Sequence, residues 1–377
     1  MEALLDKGRN NMKIIKGNSF KTFKLTAVAI ILAAFCTCSI VSASSLRVSS
    51  EAEGDYISIQ AAIDAAEAGD TIFVSPGTYA ENLKVNKQVR IWSDSGKPEG
   101  TVIRATDPTK STVEISVDKV SFSGFRVEGS KKAGILLTGV KSCYINNNRI
   151  KGAEYGILLN SSEKNIISNN LITLNEKGIR LENSNSNDIL DNIIAYNYGP
   201  GISLQESIKN LIYNNFLKNT ENVEEKTVNA DNIWQSPLVT KKNIVRGPYI
   251  GGNFWTDPEG KGYSETSVDE NNNGICDSSY NITGGGTDKF PLSPKVPNAV
   301  KTLENSLNAS AYEQGLADRE KAGATVNKTK EATEPKAGNT TNEEASGTNT
   351  PGLGPGFVGL AIGAAYILRQ SREEKGK

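Results

Sequence analysis

The chain has 377 residues, with 42 Lys and Arg against 43 Asp and Glu, for a net charge of −1. That balance, with no basic stretch interleaved with aromatics, gives no signal for nucleic acid. The sequence contains no histidine, which removes imidazole from any metal-binding or acid–base scheme.

The first segment reads as an export signal. Lys13, Lys16, Lys21 and Lys24 precede an apolar run over residues 25–40, and Val41-Ser42-Ala43 offers small residues for cleavage after Ala43. A retained membrane anchor is the alternative. Both methionines, Met1 and Met12, precede the cleavage point, as do Cys36 and Cys38. Cys143 and Cys276 remain in the mature chain, in separate regions, with no ground for pairing them.

Beyond the signal, Ile59, Ala62, Ile63 and Ala66 form a helical stripe suited to plugging the end of a core. Then four segments repeat. Gly134, Gly156, Gly178 and Gly201 are spaced by 22, 22 and 23 residues. In register with them run Ile135, Ile157, Ile179, Ile202 and Leu137, Leu159, Leu181, Leu204. Lower in each repeat come Ile145, Ile167, Ile189, Ile212, then Asn148, Asn170, Asn192, Asn215, then Ile150, Ile172, Ile194, Leu217. A repeat of this length, built of short β runs, predicts stacked coils of a solenoid. Stacking puts like on like at the ~4.8 Å strand spacing, so the apolar columns make one continuous core. An inward Asn is costly unless paired, and stacked amides can bond up and down the axis. Asn165, Asn187 and Asn210 form a second such column, with Cys143 one coil earlier. The glycines are expected at corners or at positive φ.

The run Asn165-Ile166-Ile167-Ser168-Asn169-Asn170-Leu171-Ile172 resembles the repeat of the periplasmic copper-binding, NosD-type family of pectin-lyase-like β-helices. Residues 56–79, through Gly69-Asp70-Thr71 and Pro76-Gly77-Thr78-Tyr79, resemble the opening of such helices. Residues 251–292, from Gly251-Gly252-Asn253-Phe254-Trp255 to Phe290-Pro291-Leu292, resemble the family's C-terminal end. The resemblance implies an all-β, right-handed, single-stranded parallel β-helix over residues 44–292, with a short N-terminal capping helix. The right hand comes from the resemblance alone. The copper role it implies meets a chain with no His and no mature Met, so copper is not expected here. Trp234, Tyr249, Phe254, Trp255, Tyr263 and Phe290 are expected to cap the C-terminal end of the core.

Three chemical features stand out. Asp269, Asn271, Asn273 and Asp277, with Gly274, follow the front of a calcium loop, but Tyr280 stands where the bidentate Glu would be. The readings are a weak structural calcium site, or a loop using the same side chains for turn hydrogen bonds. Glu154 falls under Glu176 and is followed by Tyr198, which sets two carboxylates about one strand spacing apart, as in a retaining glycosidase. Solvated loop carboxylates are the plainer reading. Arg149-Ile150-Lys151 resembles a short polygalacturonase motif, without that family's partner aspartates or histidine.

From residue 293 the composition turns to Ala, Asn, Thr, Glu and Lys, predicting a disordered tether over residues 293–350, with a weak helix within residues 299–322. Residues 351–377 hold Pro355-Gly356-Phe357, an apolar run over residues 357–368, and a basic end. This resembles the Pro-Gly-Phe C-terminal sorting signal of archaeal surface proteins, which implies processing and a lipid link; a marginal membrane helix is the alternative. Asn160, Asn281, Asn308, Asn327 and Asn339 match the N-glycosylation pattern.

Together these predict an exported β-helix on the outer face of the cell envelope, tethered to membrane lipid or associated with a surface layer. It would serve as a non-enzymatic display or binding module for surface glycans or surface-layer proteins. A carbohydrate-active enzyme (lyase, epimerase or hydrolase) and a copper-delivery protein are the rival readings.

Overall fold

The computed structural model describes residues 43–51, 54–227, 230–295 and 297–333. The chain divides into two compact units, Met1–Lys321 and Ala322–Lys377. The first holds a parallel β-solenoid with three faces per coil. One coil shows the plan: Tyr144–Asn146 on the first face, Arg149–Lys151 on the second and Tyr155–Asn160 on the third. Each strand pairs in parallel with its equivalent one coil on, giving sheets of eight, eight and seven strands.

The registers are those of the sequence columns. Ile145, Ile167, Ile189 and Ile212 stack on the first face, and Ile150, Ile172, Ile194 and Leu217 on the second. Ile135, Ile157, Ile179 and Ile202 stack on the third face, alongside the Leu column. All are buried in one cluster that runs the length of the solenoid. Alternation does the rest: the residues between them point outward.

The Asn columns are hydrogen-bonded ladders. Asn148, Asn170, Asn192 and Asn215 each donate Nδ2 to the Oδ1 of the next Asn, ending at Asn253, at 3.1, 3.0, 3.0 and 2.9 Å. Asn165, Asn187 and Asn210 do the same at 3.0–3.1 Å, ending at Asn232, and the Cys143 amide donates to Asn165 at the head of the column. A third ladder, Asn175, Asn197 and Asn219, continues to Asn222. Each ladder sits where the chain turns between faces and leaves backbone groups that no strand partner reaches.

The repeat glycines have another reason than the one expected. Gly134, Gly156 and Gly178 lie within third-face strands, not at positive φ. A Cβ on Gly134 would stand 2.8 Å from the Gly156 carbonyl oxygen, and one on Gly156 would stand 2.6 Å from that of Gly178. Close approach of successive coils therefore selects glycine. At the turn between the first and second faces the left-handed positions are Asn147, Asn169, Asp191 and Asn214, with φ of 53–57°, which short polar side chains tolerate.

Both ends of the core are closed. The helix Ile59–Ala65 buries Ile59, Ala62 and Ile63. Ser58 caps its N-terminus, and the Glu81 carboxylate accepts from the amides of Ile59 and Gln60 at 2.9 Å. At the other end Trp234 and Trp255 close the core, with Tyr263 and Tyr280 packed beside them. The expected aromatic cap is thus divided. Phe254, Tyr249 and Phe290 belong to a second cluster on the outer side of the second sheet, where Phe254 stacks on Phe216 at 5.2 Å. Strand alternation explains the division: Phe254–Thr256 extends the second sheet, so Trp255 points in and Phe254 out.

That second cluster also corrects the start of the expected tether. Pro297–Asn305 and Ala309–Thr333 are helices, and Val300, Leu307 and Tyr312 are buried in the cluster with Ile275 and Leu292. The apolar outer face of the second sheet gives these sparse apolar residues a surface to bury. Residues 334–350 of the expected tether, the export segment before Ala43, and Pro355, Gly356 and Phe357 lie outside the described residues.

Candidate functional site

The third face carries the most organised polar surface. Thr138, Asn160, Glu182 and Gln205 stand in register on four successive coils. Beside them run Leu136, Leu158, Arg180 and Ser203, also in register and outward, the two leucines half-buried. Arg180 is only 7% exposed although it leaves the outer side of a sheet. It donates to Glu182 at 2.6 Å, to Ser203 at 2.8 Å and to Gln205. Glu224, on the next coil, accepts from Lys177 and Ser203 at 2.6 Å and pairs with Lys226. Burial works against the Glu224 carboxylate, but Lys177, Lys226 and Ser203 outweigh it and hold the group down at about 2. It is a fixed anion near neutrality, with no proton to give.

A groove of about 660 Å³ follows the corner between the second and third faces. Arg104, Lys131, Lys151 and Glu128 line one part of it, and Glu154, Glu176, Tyr198 and Arg319 the other. Glu128 is met by Arg104 at 2.6 Å, Arg126 at 3.4 Å and Lys151 at 3.6 Å. Burial would raise its pKa, yet those cations leave it lowered. The structure brings Glu154, Glu176 and Tyr198 onto successive coils as the repeat predicts, through backbone bonds from Lys177 to Glu154 and from Tyr198 to Asn175. Glu176 is taken up by a two-pronged ion pair from Arg319.

A smaller cavity of about 300 Å³ lies by Trp255, Tyr263, Tyr280 and Glu221. Burial, then the neighbouring Glu224 charge, raises the Glu221 pKa.

The Asp269–Asp277 loop uses its oxygens on its own backbone. Asp269 accepts from the amides of Asn273 at 2.9 Å and Gly274 at 2.8 Å. Asn271 accepts from Asn273 at 3.0 Å, Asn273 from Ile275 at 2.8 Å, and Asp277 from Glu270 at 2.8 Å. These bonds shape the loop, and an oxygen so engaged keeps a second lone pair for a cation. Copper is another matter. Among the described residues, the donors available for a soft metal are the two thiols of Cys143 and Cys276, both buried. Burial pushes them up to about 11 and about 12, so neither offers a thiolate near neutrality. The donors of the described residues do not fit copper.

The glycosylation sequons differ in setting. Asn281 and Asn308 are exposed, and Asn308 Oδ1 accepts from the Ala311 amide at 3.1 Å at the start of the last helix. Asn160 is half-buried and its partner Ser162 is buried. Asn327 falls in the Ala309–Thr333 helix, and Asn339 lies outside the described residues.

Residues 51–260 match the family model described as periplasmic copper-binding protein (NosD). A cell surface glycoprotein of Methanothermus fervidus is 37% identical over 100 residues, which is 26% of this chain and 16% of that protein. The chain therefore spans a small part of that relative's length. An alginate lyase from Paenibacillus sp. str. FPU-7 is similar over 50% of this chain and 75% of its own, with 16% identity and a TM-score of 0.40. The pectate lyase Pel9A is similar over 50% of this chain and 56% of its own, with 16% identity and a TM-score of 0.41.

Proposed function

This chain belongs to the NosD family, and we propose that it is a surface-exposed β-helix that binds glycan on its third face and performs no chemistry there. The observation that carries the reading is the paired columns of that face. Thr138, Asn160, Glu182 and Gln205 present hydrogen-bonding groups at the coil spacing, and half-buried Leu136, Leu158 and Tyr155 lie alongside. A strip of hydroxyl, amide and carboxylate groups beside the apolar pair Leu136 and Leu158 suits sugar rings, which have polar edges and apolar faces. Arg180, tied by three hydrogen bonds, holds the flanking Glu182 and Gln205 in place.

Two carboxylates of this face support binding over catalysis. Glu182 is paired with Arg180, and Glu224 is held down at about 2 by Lys177, Lys226 and Ser203, whereas a general acid is poised near the working pH. In this reading the export segment before Ala43 and the segment at Pro355, Gly356 and Phe357 deliver and tether the solenoid, with membrane lipid as the partner of the tail. Exposed Asn281 and Asn308 are the sequons we assign as glycan carriers.

A glycan array tests the proposal. The purified chain is expected to retain a restricted set of glycans, and a variant carrying Asn160→Ala and Glu182→Ala to lose them while melting at the same temperature within a few degrees. Binding that survives in the variant moves the site off the third face. An array with no binding to the native chain removes the glycan reading.

A further inference from the structure

The helix Ala309–Thr333 carries a pattern of its own. Tyr312, Gly315 and Arg319 are three and four residues apart, so they share one helical face. All three meet Tyr198. The Tyr312 ring lies against it at 5.5 Å and 17°. A Cβ at Gly315 would run into the Tyr198 hydroxyl. The Arg319 guanidinium lies over the ring, 3.9 Å from its centroid, and donates through Nη1 and Nη2 to the two oxygens of Glu176. Nearby, Glu304 of the preceding helix pairs at 2.8 Å with Lys218, whose side chain is 3% exposed.

A glycine inside a helix weakens it. Here it is the residue that lets the Tyr198 ring pass. An aromatic face beside a carboxylate is the surroundings that receive a guanidinium or ammonium group, and Glu154 adds a second carboxylate one coil away. We propose that the Glu176–Tyr198 corner is a cation-receiving site, and that the helix beginning at Ala309 is a latch filling it in cis with Arg319. Closed, the latch covers Tyr198 and ends the corner groove. Open, it leaves an aromatic–carboxylate site for a guanidinium or ammonium group on another basic polypeptide segment. The proposal rests on the corner alone and does not use the glycan reading of the third face.

Hydrogen exchange of the full chain separates a latch from a helix that merely lies alongside. Alanine is the better helix former, so Gly315→Ala should increase protection over residues 309–321 if the helix stands by itself. A latch gives the opposite sign: the added Cβ meets Tyr198, and exchange there rises at least tenfold. Arg319→Ala is expected to act in the same direction. Glu176→Arg combined with Arg319→Glu should restore the protection that either change alone removes. The Gly315→Ala chain should then bind a synthetic peptide copying residues 309–321, and not the same peptide carrying Arg319→Ala. The native chain, with its site filled, should bind neither. Unchanged or increased protection in Gly315→Ala, or peptide binding indifferent to the arginine, would overturn the proposal.

Discussion

Replacing Asn192 by alanine tests whether the ladders stabilise the solenoid or merely decorate its corner. Asn192 is fully buried. Its Oδ1 accepts from the amide and the Nδ2 of Asn170, both at 3.0 Å. Its Nδ2 donates to the carbonyls of Ile167 at 2.8 Å and Leu190 at 2.9 Å, and to Asn215 at 3.0 Å. Several partners survive the change. Asn170 Nδ2 keeps the Ile145 carbonyl, and Asn215 Oδ1 keeps the Asn192 amide. The Asn170 amide loses its acceptor, while the Ile167 carbonyl keeps its place in the strand ladder facing Leu190. An orphaned buried group costs about 1–3 kcal/mol, and the variant should lose about that much. Thr173→Ala, on the outer side of the second sheet, should stay within about 0.5 kcal/mol. Urea unfolding followed by circular dichroism reads both. Equal losses for the two variants, or less than about 0.5 kcal/mol for Asn192→Ala, would refute the ladder argument.

Three further outcomes are expected. Burial raises the buried Asp288 carboxylate to about 6 against three N–H donors, from Asn253, Trp255 and Phe290. A raised folded pKa means its contribution is full below the unfolded value of ~3.9 and is lost as pH rises through about 6, on the order of 2–3 kcal/mol. Melting curves of the native chain and Asp288→Asn between pH 4 and 7 should differ by that loss, and parallel curves would contradict it. We propose weak structural calcium at the Asp269–Asp277 loop: calcium should raise the melting temperature relative to chelator, and Asp269→Ala should abolish the difference, whereas identical native curves in both conditions would remove the site. A chain carrying Cys143→Ser and Cys276→Ser should show no stoichiometric copper binding by titration calorimetry, and a tight site in that variant would overturn the donor argument.

The solenoid was legible because its energetics are written in columns. Ile on Ile and Asn on Asn at a constant step name both the core and two of its ladders, and Ile59, Ala62 and Ile63 name the plug. The third ladder, Asn175, Asn197 and Asn219, keeps the same step and is written in the sequence as plainly as the second; the Ala153 amide one coil earlier donates to Asn175. The role of Gly134 and Gly156 was misjudged because a short-range rule, glycine at turns, competed with a long-range cause, the backbone of the next coil. The docking of Tyr312, Gly315 and Arg319 was illegible for a related reason. Over residues 293–350 the composition is that of a solvated tether, and Tyr312, Gly315 and Arg319 meet Tyr198 and Glu176 from more than a hundred positions away. Of the candidate site, the polar third-face column was visible in the repeat, while Arg180 and Glu224 were not, since their roles arise from neighbours on adjacent coils.

The central claim, that the third face binds glycan without changing it, is tested most directly by product analysis. The native chain is incubated to equilibrium in deuterium oxide with the glycans it retains, and the recovered glycans are weighed by mass spectrometry, where epimerisation would show as carbon-bound deuterium. The account predicts saturable binding and unaltered glycan masses. Shortened, unsaturated or hydrated products, formed in proportion to the protein added, would contradict it.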